Sequence, residues 1–238
     1  IEHKDIFSNA LRILLNEKSY IELKSTLNSN KLLDLDVIKK LLNEKLFHLI
    51  LQKSLLSEIF LEQLLNKIRF EILSLLIKKN LEILKDKLEF IIYLAEQCFL
   101  NEYCFFKSSE EIDWINKLII SVENKEEVNE IEIAILGSYI PLINSKLITN
   151  KLLKYKSNNV LFNNLVKMHI REPLKEDSLV NSIKSFETIS DSISEKVREQ
   201  YEENPFPRWR YTYNKTQSNP LVIINNQIKP NNIKMNDK

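Results

Sequence analysis

The residues of this chain that could do chemistry are few and widely spaced. His3, His48 and His169 have no histidine, cysteine or paired acidic partner at ligand spacing, whereas a metal site needs three or four such groups converging. His48 lies in an apolar helical run and reads as a satisfied structural histidine. Glu202 and Glu203 are adjacent, so on a helix they point about 100° apart and do not share an acid–base site. Cys98 and Cys104 stand in an apolar helical run at neither metal nor disulfide-framework spacing, which fits a reduced, cytoplasmic setting. No Ser-His-Asp or Cys-His set can be assembled. The chemistry left is recognition, and it is concentrated in one stretch, Val197-Arg-Glu-Gln-Tyr-Glu-Glu-Asn-Pro-Phe-Pro-Arg-Trp209.

In that stretch a helical pattern runs into two prolines separated by one residue. Pro205 and Pro207 each fix a backbone dihedral and remove a donor, and they bias Asn204 and Phe206 toward extended geometry. The helix is therefore expected to stop at about Asn204. Phe206, Pro207, Arg208, Trp209, Arg210 and Tyr211 then form a stiff segment of aromatics and guanidinium groups, a composition suited to docking on another surface. Arg208 can only donate, and Trp209 offers a large apolar face with one N–H. Gln200, Tyr201 and Glu202 precede the break. An aromatic tail folded back on its own core is the competing reading of the same residues.

Composition narrows what could hold such a segment. Of 238 residues one is glycine, Gly137, too few for a P-loop, a G-x-G-x-x-G cofactor loop or a set of tight hairpins. No proline precedes Pro141, and Leu, Ile, Lys, Glu and Asn dominate, which predicts an all-α chain. With 34 basic and 33 acidic residues the formal net charge is +1, so no whole-chain field attracts nucleic acid or an anionic membrane. An Arg208–Tyr211 contact to nucleic acid is disfavoured for that reason. No apolar run reaches 18 residues, since even Phe90–Leu100 carries Glu96 and Gln97, and no membrane span is expected. The chain begins at Ile1 and ends in a polar run, which reads as a piece of a longer protein.

Apolar spacing of three and four predicts about ten helices in an irregular bundle or array of helical hairpins, residues 1–204, followed by an extended Pro/aromatic segment and polar tail, residues 205–238. The expected helices cover His3–Asn16, Ile21–Leu27, a run from Asp34 or Asp36 to about Gln52 with Leu41, Leu42, Leu46, Leu49 and Ile50 inward, Ser57–Leu76, and Leu81–Phe105 as a central helix. Ser108 and Glu111 have capping-box spacing and open a helix to about Val122. Ile131–Ile140 follows, with Ile135, Leu136, Tyr139 and Leu142 packed inside, and then Lys146–Tyr155 and Asn158–Ile170. Pro173 suits the first turn of the next helix, which carries Leu179, Ile183 and Phe186 inward. Ser192 and Glu195 begin the last, with Ile193, Val197 and Tyr201 on its buried stripe. Leu221–Ile224 is a short apolar run in the tail. No 34-residue repeat is present.

The stretch from Val197 to Trp209 resembles the segment that precedes the catalytic domain in a family of bacterial class I S-adenosylmethionine-dependent methyltransferases with helical, often tetratricopeptide-containing, N-terminal regions. That pattern reads Gln-Tyr-Glu-x-Asn-Pro-Tyr-Pro-Arg-Trp, so Phe206 departs from it by one hydroxyl. Arg171-Glu-Pro-Leu-Lys-Glu176 and the approach Ser194–Arg198 are also similar, and the match covers about Arg171–Tyr213. The resemblance implies that a Rossmann-like domain with a Gly-rich cofactor loop follows the motif. The chain itself is then expected to bind no S-adenosylmethionine and to be inactive alone. Its partners would be the missing methyltransferase domain and a protein or small-molecule methyl acceptor. The other reading is a stand-alone α-helical interaction module whose Arg- and aromatic-rich tail is the epitope.

Overall fold

The structure, a computed structural model, describes residues 18–27, 31–56 and 58–180, together with Ile13, Ser182 and Glu195–Arg198. All its regular elements are helical, as the apolar spacing predicts. There are eleven α-helices: α1 Lys18–Thr26, α2 Asp36–Leu42, α3 Lys45–Lys53, α4 Ile59–Ile77, α5 Leu81–Lys85, α6 Leu88–Leu100, α7 Ser109–Asn124, α8 Glu130–Gly137, α9 Lys146–Lys154, α10 Val160–Val166 and α11 Glu172–Val180. Short 3-10 turns lie at Leu32–Asp34 and Leu142–Asn144, and a π-helical turn, Lys167–Arg171, joins α10 to α11. Among the described residues no helix is long and apolar enough to cross a membrane.

Helix α6 is the centre. Every residue from Phe90 to Leu100 is buried, and the helix packs most extensively on α8, then on α3 and α10. A helix that is apolar around most of its circumference has to be enclosed in this way. Its buried polar residues are met by neighbours: the Gln97 amide, with its nitrogen turned toward the carbonyls, donates to Leu51 O at 2.6 Å and Ser54 O at 2.8 Å, satisfying the end of α3. Helix α4 lies across this centre, with Leu61, Leu64, Leu65, Ile68, Ile72 and Leu73 in the core. On its far side the Glu71 carboxylate accepts from Leu32 N (2.7 Å) and Leu33 N (3.0 Å), pinning the first 3-10 turn.

Several boundaries differ from the sequence reading. The run ending near Gln52 is two helices, because Glu44 accepts from Leu46 N and starts α3 afresh. Leu41, Leu42 and Ile50 are inward as expected, whereas Leu46 is half-buried and Leu49 exposed, their places in the core being taken by Phe47, His48 and Leu51. The Leu81–Phe105 run is broken at Asp86–Lys87 and ends at Leu100. Glu58, next to the expected start at Ser57, accepts from Leu61 N and caps α4. The Ser108–Glu111 capping box is present in full.

Pro173 does not open a separate helix. Its ring would collide with the His169 carbonyl and it has no N–H to donate. The chain widens just before it into the π turn, where Glu172 N donates to Lys167 O, and then continues as α11. Helix α11 buries none of its residues, and Leu179, expected inward, is 46% exposed.

Candidate functional site

Gln200, Tyr201, Glu202, Asn204, Pro205, Phe206, Pro207, Arg208 and Trp209 lie outside the described residues, as do Ile183, Phe186, Ser192, Ile193 and Leu221–Ile224. Of the approach to them, Glu195–Arg198 is helical and exposed. Val197, expected on an inward stripe with Tyr201, is 45% exposed. Arg171 is exposed at the end of the π turn, and Glu172 lies 3.5 Å from Lys167.

Within the described residues, side-chain chemistry gathers where the C-terminal end of α6 meets the π turn. His169 is fully buried. Its ring rests on Phe99 (centroids 4.7 Å apart), and its Nδ1 lies 3.4 Å from the Tyr103 hydroxyl. Both Tyr103 and His169 hold further partners. Gly137, the chain's one glycine, ends α8 against this histidine. A Cβ there would stand 3.4 Å from His169 Cε1 and 3.6 Å from Ala95 Cβ. The glycine therefore serves helix packing and is no part of a phosphate or cofactor loop.

Tyr103 is delivered by the connection between α6 and α7, which turns without glycine. Glu102 and Tyr103 take left-handed backbone angles, φ 54° and 57°, uncommon for side chains of this size. Tyr103 N donates to Cys98 O at 2.9 Å, closing the helix end. What holds the rest of the connection is Arg69 on α4. Its guanidinium is fully buried and donates to Phe106 O (2.6 Å), Ser138 O (3.2 Å) and Asn66 Oδ1 (2.8 Å). It also lies over the Tyr139 ring at 4.1 Å and the Phe105 ring at 5.6 Å. Tyr139 in turn donates to Glu111 Oε1 (2.7 Å), whose other oxygen accepts from Ser108 N and Oγ in the capping box. Lys107 donates to Tyr139 O at 2.7 Å.

Burial dominates the electrostatics of this cluster. It pushes the Cys98 thiol up to about 11, against the opposing pull of the neighbouring Arg69 charge. It raises the Tyr139 phenol, with Glu111 adding to the rise, and it lowers Lys107, which Arg69 lowers further. A thiol held protonated is a poor nucleophile, and the Tyr139 phenol is kept as a hydrogen-bond donor. Glu111 and Arg69 are spent on fixed partners. The cluster is thus a lock joining α4, α7, α8 and the 101–108 connection.

The histidine read as structural is so: His48 is buried with its Nε2 2.7 Å from Leu42 O. Among the described residues no group of three His, Cys, Asp or Glu is placed to hold a metal ion. Open clefts lie at the surface. One of about 630 Å3 is lined by Leu23, Asp36, Lys39, Lys40 and Glu44 among others, and one of about 560 Å3 by Glu126, Glu127, Val128, Lys151, Lys154 and Tyr155. In the second, Lys151 donates to Val122 O and Glu123 O at the end of α7, and the Tyr155 hydroxyl donates to Glu130. Sequence reasoning missed Arg69 and His169 as structural centres. The available signal was an arginine set among Ile68, Phe70 and Ile72 on a helix without a polar side, and a histidine four residues before a proline inside a helix.

Comparison of the chain with protein-family models, with curated proteins and with solved structures finds no match.

Proposed function

We propose that this chain is the non-catalytic helical N-terminal part of an S-adenosylmethionine-dependent methyltransferase, working in the cytoplasm and docking on the catalytic domain through Gln200–Trp209. The observation that carries the reading is the thirteen-residue run Val197–Trp209 at the end of a helical chain, with its paired prolines, arginine and tryptophan. Two features of the described residues support it. The one glycine is used for helix packing against His169, so the cofactor loop is sought in a following domain. The last described elements, α11 and Glu195–Arg198, carry Leu174, Leu179, Val180 and Val197 exposed on the approach to the motif, as suits a stretch leading into an interface. The bundle then positions a protein or small-molecule methyl acceptor against the catalytic domain. Those same exposed side chains also favour the second reading, a stand-alone α-helical module that binds another protein.

The reading frame beyond Lys238 decides between them: a strand followed by G-x-G-x-x-G within about thirty residues, the spacing of a βαβ unit, is expected. Calorimetric titration of the present chain with S-adenosylmethionine should show no binding, and micromolar affinity would overturn the assignment. In the full-length enzyme Trp209→Ala should lower activity strongly, by roughly 2–4 kcal/mol if the ring is a buried anchor. Melting of the isolated helical chain should hardly move. Unfolding of that chain by the same substitution, with specific activity intact, would make Trp209 a core residue and end the docking idea.

A further inference from the structure

His48 sits where three helices meet, and its two ring nitrogens face groups of the same kind. Nε2 lies 2.7 Å from the carbonyl of Leu42, the last residue of α2. A carbonyl only accepts, so Nε2 carries the hydrogen, and in the neutral ring Nδ1 is a lone pair. Nδ1 is buried without a hydrogen-bond partner and lies 3.8 Å from Glu89 Oε1 in the first turn of α6. Neutral His48 therefore turns an acceptor toward a carboxylate, an arrangement that protonation converts into a charge-assisted donor facing that carboxylate. The rings of Tyr93 (5.0 Å) and Phe90 (6.1 Å) pack against the imidazole and keep it in place. The side chain of His48 is 7% exposed and that of Glu89 is 59% exposed.

The charged groups around this point come from each packed element. Helix α6 brings Glu89, the Tyr93 phenol, which burial holds protonated beyond its ordinary range, and Glu96. Helix α2 brings Lys39 and Lys40, and α3 itself brings Lys45 next to its cap Glu44. Asp86 and Lys87, before α6, line a cleft of about 230 Å3 with Lys39, Leu42 and Asn43. Among the described residues Glu89 is the carboxylate within 4 Å of the imidazole.

We propose that His48 is a proton-operated clasp: acidification from slightly above to below neutrality fastens α2 and α3 onto the first turn of the central helix through a His48–Glu89 ion pair. The proton comes from solvent and no covalent change is involved. Glu89 favours the charged imidazole in the folded chain only. Its contribution is therefore full below the histidine's midpoint, as long as the carboxylate remains ionised, and is lost as pH rises through that midpoint. Histidine and glutamate ordinarily titrate near 6.5 and 4.3, which sets the window at about pH 5 to 8.

The test follows the His48 ring resonances by NMR from pH 5 to 8 in the whole chain and in Glu89→Gln, with melting temperatures over the same range. The native ring should titrate reversibly, with a higher midpoint in the wild type than in Glu89→Gln. The melting temperature gap between the two should widen by about 2–4 °C from pH 8 to pH 5.5, the scale of a modest stability change in a chain of this size. In a His48→Gln background, which keeps an amide donor for Leu42 O and cannot titrate, that widening should vanish. Asp86→Asn should move the midpoint less than Glu89→Gln does. Equal midpoints with and without Glu89, a pH-independent gap, or a ring that titrates only on unfolding would overturn the clasp. The NMR comparison stands even if the His48→Gln chain fails to fold.

Discussion

The two ends of α4 to α11 are built in opposite ways. Around the 101–108 connection, a fully buried arginine, a buried glutamate and a buried tyrosine are joined by short hydrogen bonds. Along α11 nothing is buried, and Leu174, Leu179 and Val180 face solvent. A loop is ordinarily the mobile part of a helical protein and a helix the fixed one. Here the loop is fastened by partners it cannot exchange, whereas α11 has only its own backbone and its junction with the π turn. Helical content is thus a poor guide to where this chain is rigid. The count of satisfied buried polar groups is a better one.

Breaking the fastened end should have the largest effect. Arg69→Ala removes three donated bonds at once and leaves the carbonyls of Phe106 and Ser138 without that donor beneath Tyr139. A loss of about 3–5 kcal/mol is expected, the scale for stripping a partner from a buried charged network, read by denaturant unfolding. A smaller effect separates the two ends by pH. Burial lifts the Cys98 thiol to about 11 from its ordinary 9.0, so between these values the folded chain keeps a proton that the unfolded chain releases. The stabilisation is complete below pH 9 and falls as pH rises through 11, by on the order of 2 kcal/mol. Cys98→Ala should lack this component, so the stability difference between wild type and variant should change over that window and stay constant below it. Least of all should follow from the open end: Leu179→Ser on α11 is expected to change unfolding free energy by no more than about 0.5 kcal/mol. A loss above 2 kcal/mol there would mean that α11 has a packed face, and the contrast would fail.

Much of this was legible in the residues. The enclosed character of Phe90–Leu100, the inward places of Ile135, Leu136, Tyr139 and Leu142, and the capping box at Ser108 follow from periodicity and local hydrogen-bond logic. The breaks were harder because the chain has so little glycine and proline to mark them. Glu44 and Glu58 act as N-caps in place of the favoured short side chains, and Glu102 and Tyr103 adopt the backbone angles that glycine usually supplies. Arg69 and Glu111 escaped notice because charge reads as exposure until the partner is known, and the partners are 37 to 69 residues away for Arg69 (Phe106 O and Ser138 O) and 28 away for Glu111 (Tyr139). The motif chosen for function, Gln200–Trp209, rests on resemblance and stiffness. Of its surroundings the described residues include the helical turn Glu195–Arg198, whose exposed Val197 departs from the stripe that periodicity suggested.

The π turn before Pro173 also acts as an angular offset. Phe162, Leu165, Val166 and His169 follow the spacing of one helical face, and an uninterrupted helix would next bring residues 172, 173 and 176 to it. One extra residue in a turn rotates everything beyond it by roughly 100°. The azimuth at which α11 leaves the bundle, and with it the direction in which the chain proceeds toward Val197, is therefore set by five residues, Lys167–Arg171, three of which are buried. Deleting one of them would be felt beyond the bundle as a rotation rather than a shortening, re-aiming whatever the chain carries past residue 180.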